Sequence, residues 1–381
     1  MHDDLIQFAT VREIEYIEAI KKHGSERKAA AALNVSRGSI SGALGCLKHR
    51  AAKRLGSEHE YHTKPIPDGF AITGVSQYSD GKWIKTSVDK SRQLELLKAA
   101  MAGMCEEINP LPAKSFCGES QDHLCNVITL TDCHVGMLAS TTETLSGNWD
   151  LKIAEETLVG CFAQAVKASP SAKTCIIAQL GDYLHYSSAL SAVTELHGHH
   201  LSADGRMFKM VRVAIRILRS IIEIALAKHE KVVLLIAEGN HDISSSIWLR
   251  AMFQALYENE PRIKIIDSEL PYYIYQHGET MLGWHHGHLA KNDALPQLFA
   301  AQFPKVWGNT TKRYVHCGHR HHTHIKEHSG ITVEQHPTLA ARDDYAARGG
   351  WIAERHINAI TYSDKYGQIS RTIITPEMID D

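Results

Sequence analysis

Five short clusters of polar residues have the side-chain types and the spacing that bind metal ions. They are Thr131-Asp132-Cys133-His134, Gly181-Asp182-Tyr183-Leu184-His185, Gly239-Asn240-His241-Asp242, His285-His286-Gly287-His288 and Gly318-His319-Arg320-His321. A carboxylate two residues from an imidazole, as in Asp132 and His134, can chelate one cation. Gly181 allows a tight turn that can direct Asp182 to the same cation. The clusters therefore predict a metal site assembled from distant parts of the chain.

Each cluster directly follows a short apolar segment that is typical of a buried β-strand. These segments are NVITL, CIIAQL, KVVLLIA, TMLGW and RYVHC, and helical segments lie between strands of the series. The alternation predicts an α/β domain over residues 125–381. Open α/β sheets bind their ligands at the carboxyl ends of the strands, which is where all five clusters fall.

Composition and charge narrow the class of protein. The chain has 381 residues, 44% of them hydrophobic, and a net charge of −2, so its overall charge exerts no strong pull on nucleic acid. Its 25 histidines favour metal binding, because imidazole is the commonest metal ligand. The eight cysteines form no CxxC pair, and no secretion leader or membrane span is recognisable, which indicates a cytoplasmic protein with reduced thiols.

The first 60 residues are predicted to form a small all-α domain. Helices are expected over residues 11–22 and 25–33, and Ser36 is a good N-cap for a third helix. The tight break before the third helix resembles a helix-turn-helix. The expected buried positions are Val11, Ile14, Ile17 and Ile20 in the first helix and Ile40, Leu44 and Leu47 in the third.

Basic residues are concentrated in this region. Seven lysines and arginines lie between Arg27 and Arg54, without an acidic residue, which is a local pattern suited to phosphate backbones. The predicted nucleic-acid contacts are Arg27, Lys28, Arg37, Lys48 and Arg50. The alternative is a helical module for dimerisation or protein docking, in which these side chains are merely solvated.

Residues 61–124 are predicted to connect the two domains. An Asp80-Gly81 turn between GFAITGVSQY and KWIKTSV indicates a β-hairpin, either a wing or a spacer. A helix is expected over residues 91–108, and Asn109-Pro110-Leu111-Pro112 ends it. Within the α/β domain, the polar stretch 186–206 is predicted to be a long loop over the cleft or a disordered insertion.

The five clusters in this order resemble the DxH, GD, GNH, HG and GHxH motifs of the calcineurin-like metallophosphoesterase superfamily. The resemblance covers residues 125 to about 375. It implies a four-layer α/β/β/α sandwich, to which this chain would add its N-terminal helix-turn-helix domain.

The resemblance also implies a ligand set for two divalent cations. The first would be held by Asp132, His134, Asp182 and His321, and the second by Asp182, Asn240, His286 and His319. Asp182 would bridge them. His285 and His288 compete with His286, which is preferred because the family ligand directly precedes glycine. The family favours manganese, with iron, zinc or magnesium as alternatives.

Two further histidines are expected to act on the substrate. By the resemblance, His241 lies beside the cations without binding them and stabilises the phosphoryl group or protonates the leaving oxygen; alternatively it is only held by Asp242. The motif GDYLH is similar to GDLFH of DNA double-strand-break repair nucleases (the SbcD-like branch), and it differs from GDxxD of protein phosphatases. His185 would then help to place the scissile diester, or it would have only a structural role.

These features predict a two-metal phosphodiesterase or nuclease that cleaves nucleic acid, DNA rather than RNA, by attack of a metal-bridging hydroxide. The architecture is similar to small phage or bacterial phosphoesterases that carry their own DNA-binding module. One alternative is a phosphatase or cyclic-nucleotide phosphodiesterase with a regulatory N-terminal domain. Another is a non-catalytic DNA-binding regulator with a metal site. No membrane partner is expected, and a homo-oligomer is left open.

Overall fold

The computed structural model describes residues 3–55, 70–78, 81–88 and 119–379. Contacts divide the chain into two units, residues 1–67 and residues 68–381. The helix expected over residues 91–108 lies outside the described residues. None of the described helices has both the length and the apolar character that crossing a bilayer requires.

The first unit contains three helices, α1 (Val11–His23), α2 (Glu26–Ala32) and α3 (Arg37–Leu55). Thr10 and Glu13 form a capping box at the start of α1, and Gly24 ends the helix with a φ of 79°. Ser25 then caps α2 through the backbone N–H of Lys28. The positions of all three helices agree with those predicted from the sequence.

The turn between α2 and α3 is short and well bonded. Asn34 adopts a positive φ of 55°, and the hydroxyl of Ser36 accepts a 3.0 Å hydrogen bond from the N–H of Ser39. Ile40, Leu44 and Leu47 are buried, as expected. The face predicted for α1 is partly wrong, since Val11 is exposed while Tyr16, Ile17 and Ala19 are buried. In the first turn of α1 the buried position belongs instead to Glu13.

The second unit begins with a β-hairpin. Strands β1 (Phe70–Tyr78) and β2 (Gly81–Val88) pair antiparallel, with Tyr78 opposite Gly81. The paired strands confirm the predicted hairpin, and Asp80 of the predicted turn lies outside the described residues.

A six-stranded sheet forms the larger half of the described α/β region. Its strands, in spatial order, are β13 (Gly367–Ile374), β12 (Ile357–Ser363), β3 (Gln121–Leu130), β4 (Ala172–Gln179), β5 (Lys231–Ile236) and β6 (Ile263–Ile266). Strands β3 to β6 are parallel, whereas β12 runs antiparallel to β3. The carboxyl ends of β3, β4 and β5 therefore meet at one edge.

A five-stranded sheet lies against the first. Its spatial order is β10 (His324–His328), β11 (Ile331–Gln335), β9 (Lys312–Cys317), β8 (Thr280–Trp284) and β7 (Tyr273–His277). Strands β8, β9 and β11 are parallel. All five strands predicted for the α/β domain are present, as β3, β4, β5, β8 and β9.

Helices cover the outer face of each sheet. They are α5 (Leu151–Ala168), α6 (Met207–Lys228) and α7 (Ile243–Leu256) on the larger sheet, and α8 (Leu295–Gln302) and α9 (Pro304–Gly308) on the smaller one. Two short helices, α4 (Thr141–Thr144) and α10 (Asp344–Gly349), lie against each other, and no residue of α10 is buried. Phe162 of α5, Ile221 of α6 and Phe253 of α7 pack with the six-stranded sheet in one apolar cluster. Phe299 of α8 packs on the five-stranded sheet.

A separate apolar cluster fills the space between the two sheets. It includes Val127 and Ile176 from the larger sheet and Leu282 and Trp284 from the smaller one. Burial on both faces explains why the strands read as continuous apolar runs in the sequence. The layers are thus helix, sheet, sheet and helix, which confirms the predicted α/β/β/α architecture.

Candidate metal centre

The five polar clusters lie in the loops that follow β3, β4, β5, β8 and β9, and backbone hydrogen bonds join these loops. The N–H of Asp132 donates to the carbonyl of Gly181 at 3.1 Å, and the N–H of His134 donates to the carbonyl of Asp182 at 3.0 Å. The N–H of Gly318 donates to the carbonyl of His286 at 2.8 Å. Residues far apart in the sequence are therefore held side by side.

The predicted ligands form two groups of donor atoms. In each group one atom from every member lies within 4.8 Å of the others. One group contains Asp132, His134 and His321, and the second contains Asp182, His286 and His319. A carboxylate with two imidazoles is a donor set that suits a divalent transition metal.

His286 links the two groups through its Nε2 atom. This atom lies 3.2 Å from Oδ2 of Asp182 and 3.9 Å from Oδ1 of Asp132. On the other side of Asp132, the same Oδ1 lies 3.1 Å from Nε2 of His321. The two donor groups therefore adjoin each other.

Five of the predicted ligands have a backbone conformation that L-residues rarely adopt. Their φ angles are positive, between 43° and 70°, and the residues are Asp132, His134, Asp182, His319 and His321. Each such residue costs about 1 kcal/mol or more relative to ordinary backbone. Strain concentrated in one place indicates that function, rather than stability, dictates these loops.

Two glycines allow the loops to approach this closely. A Cβ on Gly239 would overlap Asp182, and a Cβ on Gly318 would overlap Thr131 and Asp132. Only a residue without a side chain fits at either position. The glycines of the GNH and GHxH motifs are therefore explained by packing against the aspartates.

The three histidines after β8 occupy different environments. The ring of His285 stacks on Tyr272 at 4.9 Å, and its Nδ1 accepts a hydrogen bond from Gly287. His286 instead contacts the carbonyl of Leu180 through Nδ1, at 2.8 Å, which directs Nε2 toward the aspartates. His288 is only partly buried, and its ring lies 5.2 Å from that of His286 and 6.3 Å from that of His319. The geometry favours His286 as the ligand, as the sequence pattern does.

The buried carboxylates and imidazoles of the site shift one another's pKa values. Burial opposes the charge on His286, but Asp182 and Asp132 raise the pKa of its imidazole to about 10. Burial also opposes ionisation of Asp132 and Asp182, yet the neighbouring imidazoles hold the pKa of both carboxyls below the usual range. Without a cation, an imidazolium is the positive charge that faces the two carboxylates.

Two predicted ligands have a buried donor atom that lacks a hydrogen-bond partner, as expected for atoms that bind a metal ion. Oδ1 of Asn240 and Nε2 of His286 are buried and have no hydrogen-bond partner of normal geometry. An unsatisfied buried polar atom costs about 1–3 kcal/mol. A cation would satisfy both atoms, so the donor set fits the predicted ions.

His241 is held at one ring nitrogen and presents the other to the site. Its Nδ1 lies 2.8 Å from the carbonyl oxygen of His185, to which it donates, and its Nε2 lies 3.9 Å from Oδ2 of Asp182. The alternative partner, Asp242, contacts other groups, since its carboxylate accepts from the N–H groups of Leu184 and Gly239. The proposal that Asp242 holds His241 is therefore not supported.

His185 lies behind the residues that face the cleft. It is fully buried, its Nδ1 lies 3.3 Å from Nδ1 of His134, and its ring stacks on His241 at 5.6 Å. Burial lowers the pKa of its imidazole to about 3, so the ring is neutral at ordinary pH. This position favours the structural alternative, in which His185 supports His134 and His241.

The long loop predicted over residues 186–206 forms hydrogen bonds with the loops that carry the polar clusters. The N–H of Leu196 donates to the carbonyl of Asn240 at 3.1 Å, and Glu195 accepts a 2.9 Å hydrogen bond from the N–H of Ser244. On the other side, the N–H of Asp204 donates to the carbonyl of Gly136. Its histidines His197, His199 and His200 are exposed.

Two threonines that the sequence did not single out support Asp132. The hydroxyl of Thr131 donates to the carboxylate of Asp132, and the hydroxyl of Thr338 donates to the backbone carbonyl of Asp132 at 2.6 Å. Thr131 stands within the first cluster and could have been suspected. No pattern marks Thr338, because it reaches Asp132 only through the fold.

The predicted nucleic-acid contacts belong to the N-terminal unit. Arg27, Lys28, Arg37 and Lys48 are exposed. Arg50 differs, because its guanidinium forms a bidentate ion pair with Glu13, at 2.9 and 3.1 Å, and also binds the carbonyl of Phe8. Its side chain holds α3 to α1, which leaves it a structural role inside the helical unit.

No known family model matches the sequence, and no curated protein is significantly similar to it. Among solved structures, a conserved protein of Streptococcus pneumoniae described as a predicted phosphoesterase is 12% identical, with a TM-score of 0.30 over 67% of this chain and 91% of that chain. Vps29 of Entamoeba histolytica complexed with zinc is 11% identical, with a TM-score of 0.27 over 66% and 99% of the chains. The phosphopantetheinyl hydrolase of Mycobacterium tuberculosis is also 11% identical, with a TM-score of 0.26 over 65% and 97%. TM-scores this low carry no argument, so the function is inferred from the site itself.

Proposed function

We propose that this chain is a metal-dependent phosphodiesterase of the calcineurin-like type, with nucleic acid as its substrate. The observation that carries the proposal is the pair of adjoining donor groups at the strand ends. Nε2 of His286 faces Asp182 at 3.2 Å and Asp132 at 3.9 Å, and each aspartate belongs to a different group. Two adjoining donor groups suit two-metal hydrolysis better than a single structural ion.

The ligands divide in the same way as the donor groups. Asp132, His134 and His321 would hold one cation, and Asp182, His286, His319 and Asn240 would hold the other, with Asp182 shared between them. Manganese is the proposed metal, because a mixed oxygen and nitrogen set suits it, as it also suits iron and zinc. Two bound divalent cations would supply Lewis acidity to the phosphoryl oxygens and lower the pKa of an attacking water.

His241 would move the proton in this reaction. Because its Nδ1 donates to the carbonyl of His185, its Nε2 is the atom that gains and loses a proton. Nε2 borders the shared aspartate at 3.9 Å. A protonated Nε2 would stabilise the phosphoryl group and donate its proton to the leaving oxygen, a role that binding a metal would prevent.

The helical unit supports a nucleic-acid substrate. Four basic side chains are exposed on it, and they are Arg27, Lys28, Arg37 and Lys48. They would neutralise backbone phosphates and raise the local concentration of a DNA strand for the catalytic domain. GDYLH lacks the second aspartate of the GDxxD motif of protein phosphatases, which disfavours a phosphoprotein as the substrate.

The test is hydrolysis by the full chain with and without Mn²⁺. A single-stranded oligonucleotide, a duplex and bis-p-nitrophenyl phosphate are compared, and Asp182→Asn serves as the variant that removes the shared carboxylate and its negative charge. We expect Mn²⁺-dependent cleavage of the dye diester and of at least one oligonucleotide, abolished in Asp182→Asn.

The control variant is His277→Ala, at the β7–β8 turn on the opposite edge of the smaller sheet. This variant should hydrolyse the dye diester and the oligonucleotides at the wild-type rate. Turnover of the dye diester alone would instead indicate a small-molecule substrate. Binding of metal and DNA without any turnover would indicate a regulator and contradict the proposal.

A further inference from the structure

A tight turn within the long loop carries exposed histidines. Residues 192–201 fold back on themselves, and the N–H of Thr194 donates to the carbonyl of His199 at 2.9 Å. Gly198 has a φ of 70°, a conformation that glycine adopts without steric cost. Residues 194–199 are called the histidine turn below.

Hydrogen bonds place the histidine turn against the loop that carries Asn240 and His241. The N–H of Leu196 donates to the carbonyl of Asn240 at 3.1 Å. The carboxylate of Glu195 accepts a 2.9 Å hydrogen bond from the N–H of Ser244. These two contacts lie on either side of His241 in the sequence. The histidine turn therefore borders the residue that would protonate the leaving oxygen.

The chain that follows the histidine turn is bonded to the loop after β3. The N–H of Leu138 donates to the carbonyl of Ser202 at 3.0 Å, and the N–H of Asp204 donates to the carbonyl of Gly136 at 2.8 Å. The long loop is thus held both at the turn and beyond it. A segment held in this way is preorganised, so that it loses little conformational entropy when it binds a ligand.

The two imidazoles that flank Gly198 lie side by side. The ring centroids of His197 and His199 are 5.7 Å apart, at an interplanar angle of 28°. Because the rings are stacked, their nitrogens are the groups that a ligand can reach. Both residues are exposed, and within the described ranges neither imidazole has a hydrogen bond or an ion pair. Imidazole N–H groups are good donors to phosphate oxygens.

We propose that His197 and His199 bind the phosphate that neighbours the scissile diester on the leaving-group side of a nucleic-acid substrate. The inference rests on the proposed function and adds a specificity-determining pair of residues to it. The leaving-group side follows from the position of the histidine turn beside His241. A nucleic acid has a second phosphate there, whereas bis-p-nitrophenyl phosphate has none.

The experiment measures how strongly three trinucleotides inhibit hydrolysis of bis-p-nitrophenyl phosphate by the full chain with Mn²⁺. One is a thymidine trinucleotide with two charged phosphodiesters. In each of the other two, one linkage is an uncharged methylphosphonate, so the remaining diester occupies the metal centre without a charged neighbour.

For the wild-type protein, the inhibition constant of the fully charged trinucleotide should be about tenfold below that of both analogues, because a hydrogen bond to a charged group contributes that much or more. In His197→Ala/His199→Ala the three inhibition constants should be nearly equal. Bound manganese, measured by elemental analysis, should be the same in this variant as in the wild-type protein.

Two further double variants separate hydrogen bonding from ring contacts. His197→Gln/His199→Gln retains N–H donors and should keep part of the preference for the fully charged trinucleotide. His197→Phe/His199→Phe retains the rings without donors and should lose that preference.

The matched control is His200→Ala. His200 is also exposed, but it follows His199 directly, and successive side chains of an extended segment point to opposite faces. This variant should keep the full preference.

Three results would overturn the inference. One is equal inhibition by the three trinucleotides in the wild-type protein, and another is an undiminished preference in His197→Ala/His199→Ala. The third is loss of manganese from that variant, because the two histidines would then be metal ligands. Lack of dye turnover by the wild-type protein is a different failure, which would overturn the proposed function and this inference with it.

Discussion

Asp182 is the side chain on which the proposed centre depends most, because its two oxygens have separate tasks. Oδ1 accepts a 2.9 Å hydrogen bond from the N–H of His241, whereas Oδ2 faces Nε2 of His286. The first contact places the histidine that would move the proton, and the second joins two members of one donor group, whose His286 also faces Asp132 of the other group. An amide at this position would keep the shape and lose the charge that two cations need.

At the residue scale, His241→Ala should separate proton transfer from metal binding. We expect cleavage of an oligonucleotide, whose alkoxide leaving group must be protonated, to fall by a factor of about 10² to 10⁴, the usual contribution of a general acid. Bound manganese, measured by elemental analysis, should stay at the wild-type level, because the assigned ligands are untouched. Loss of manganese from this variant would make His241 a ligand and contradict its assigned role.

Single residues show where sequence reasoning succeeds and where it fails. The preference for His286 agrees with the geometry, because the residue before a tight glycine turn is the one directed at the aspartates. Arg50 looked like any other basic residue of α3, and only the fold reveals its ion pair with Glu13. No sequence pattern marks Thr338, because the residue it contacts, Asp132, lies 206 positions earlier in the chain.

At the scale of elements, the loops after the strands carry both the strain and the close packing of the site. Their glycines can therefore be tested independently of the ligands. Gly318→Ala should weaken Mn²⁺ binding by a factor of about 10 to 100, as loss of a ligand's support does, because its Cβ would overlap Thr131 and Asp132.

Isothermal titration calorimetry checks this, with Gly308→Ala as the control. A Cβ on Gly308, which lies in α9, would meet no atom within 4 Å, so this variant should bind Mn²⁺ normally. Equal affinities in the two variants would show that the loop packing does not position the ligands.

A buried polar network joins the two sheets beneath the centre. Nδ1 of His316 in β9 lies 2.8 Å from Nε2 of His336. The other ring nitrogen of His316, Nε2, lies 3.1 Å from the hydroxyl of Tyr362 in β12. Glu334 of β11 pairs with both guanidinium nitrogens of Arg371 in β13. Each of these contacts joins residues at least 20 positions apart, so the network could not be predicted from the sequence.

This network predicts how stability depends on pH. Burial lowers the pKa of His316 to about 3. The contribution of its neutral ring to the free energy of unfolding is therefore complete above pH 6.5 and is lost as the pH falls toward 3. Burial opposes the charge on Glu334, but His336 and Arg371 lower its pKa to about 2, so its contribution is lost below about pH 4.5. The free energy of unfolding should therefore fall by up to about 1.4 kcal/mol per pH unit for each such group.

Urea unfolding of the metal-free protein between pH 7.5 and pH 4.5 measures this slope. His316→Gln should flatten it, whereas His324→Gln, which removes an exposed imidazole from β10, should leave it unchanged. A slope that His316→Gln does not alter would mean that the network is not a source of the pH dependence.

Within the α/β region, the strands that could be predicted are those that a polar cluster follows. Each strand that precedes a polar cluster was found, because a buried apolar run followed by ligands is a double signal. Strands β6, β7 and β10 to β13 carry no cluster and were missed. For β10 the reason is visible in its letters, since HIKEH is polar and exposed and resembles a loop.

At the scale of the whole molecule, the proposal assigns binding to one unit and hydrolysis to the other. Reversing three exposed charges, Lys28→Glu, Arg37→Glu and Lys48→Glu, should weaken DNA binding. The slope of log K against log salt should become shallower by about 0.9 for each phosphate that the variant no longer neutralises. Turnover of bis-p-nitrophenyl phosphate should not change. Anisotropy of a labelled oligonucleotide at several salt concentrations measures the binding.

The control for this variant keeps the same net charge change. It reverses Lys152, Lys231 and Lys264, which are exposed in the α/β region. Equal loss of DNA affinity in both triple variants would show that overall charge, not the helical unit, attracts the strand. Arg50 is left intact in the test variant because its removal would disturb the packing of α1 and α3.

The most direct test of the account is anomalous diffraction at the manganese edge from crystals of the full chain grown with Mn²⁺. The account predicts two adjacent peaks, one between Asp132, His134 and His321, and the other between Asp182, His286 and His319, with Asp182 touching both. A single peak, or peaks away from these side chains, would contradict it.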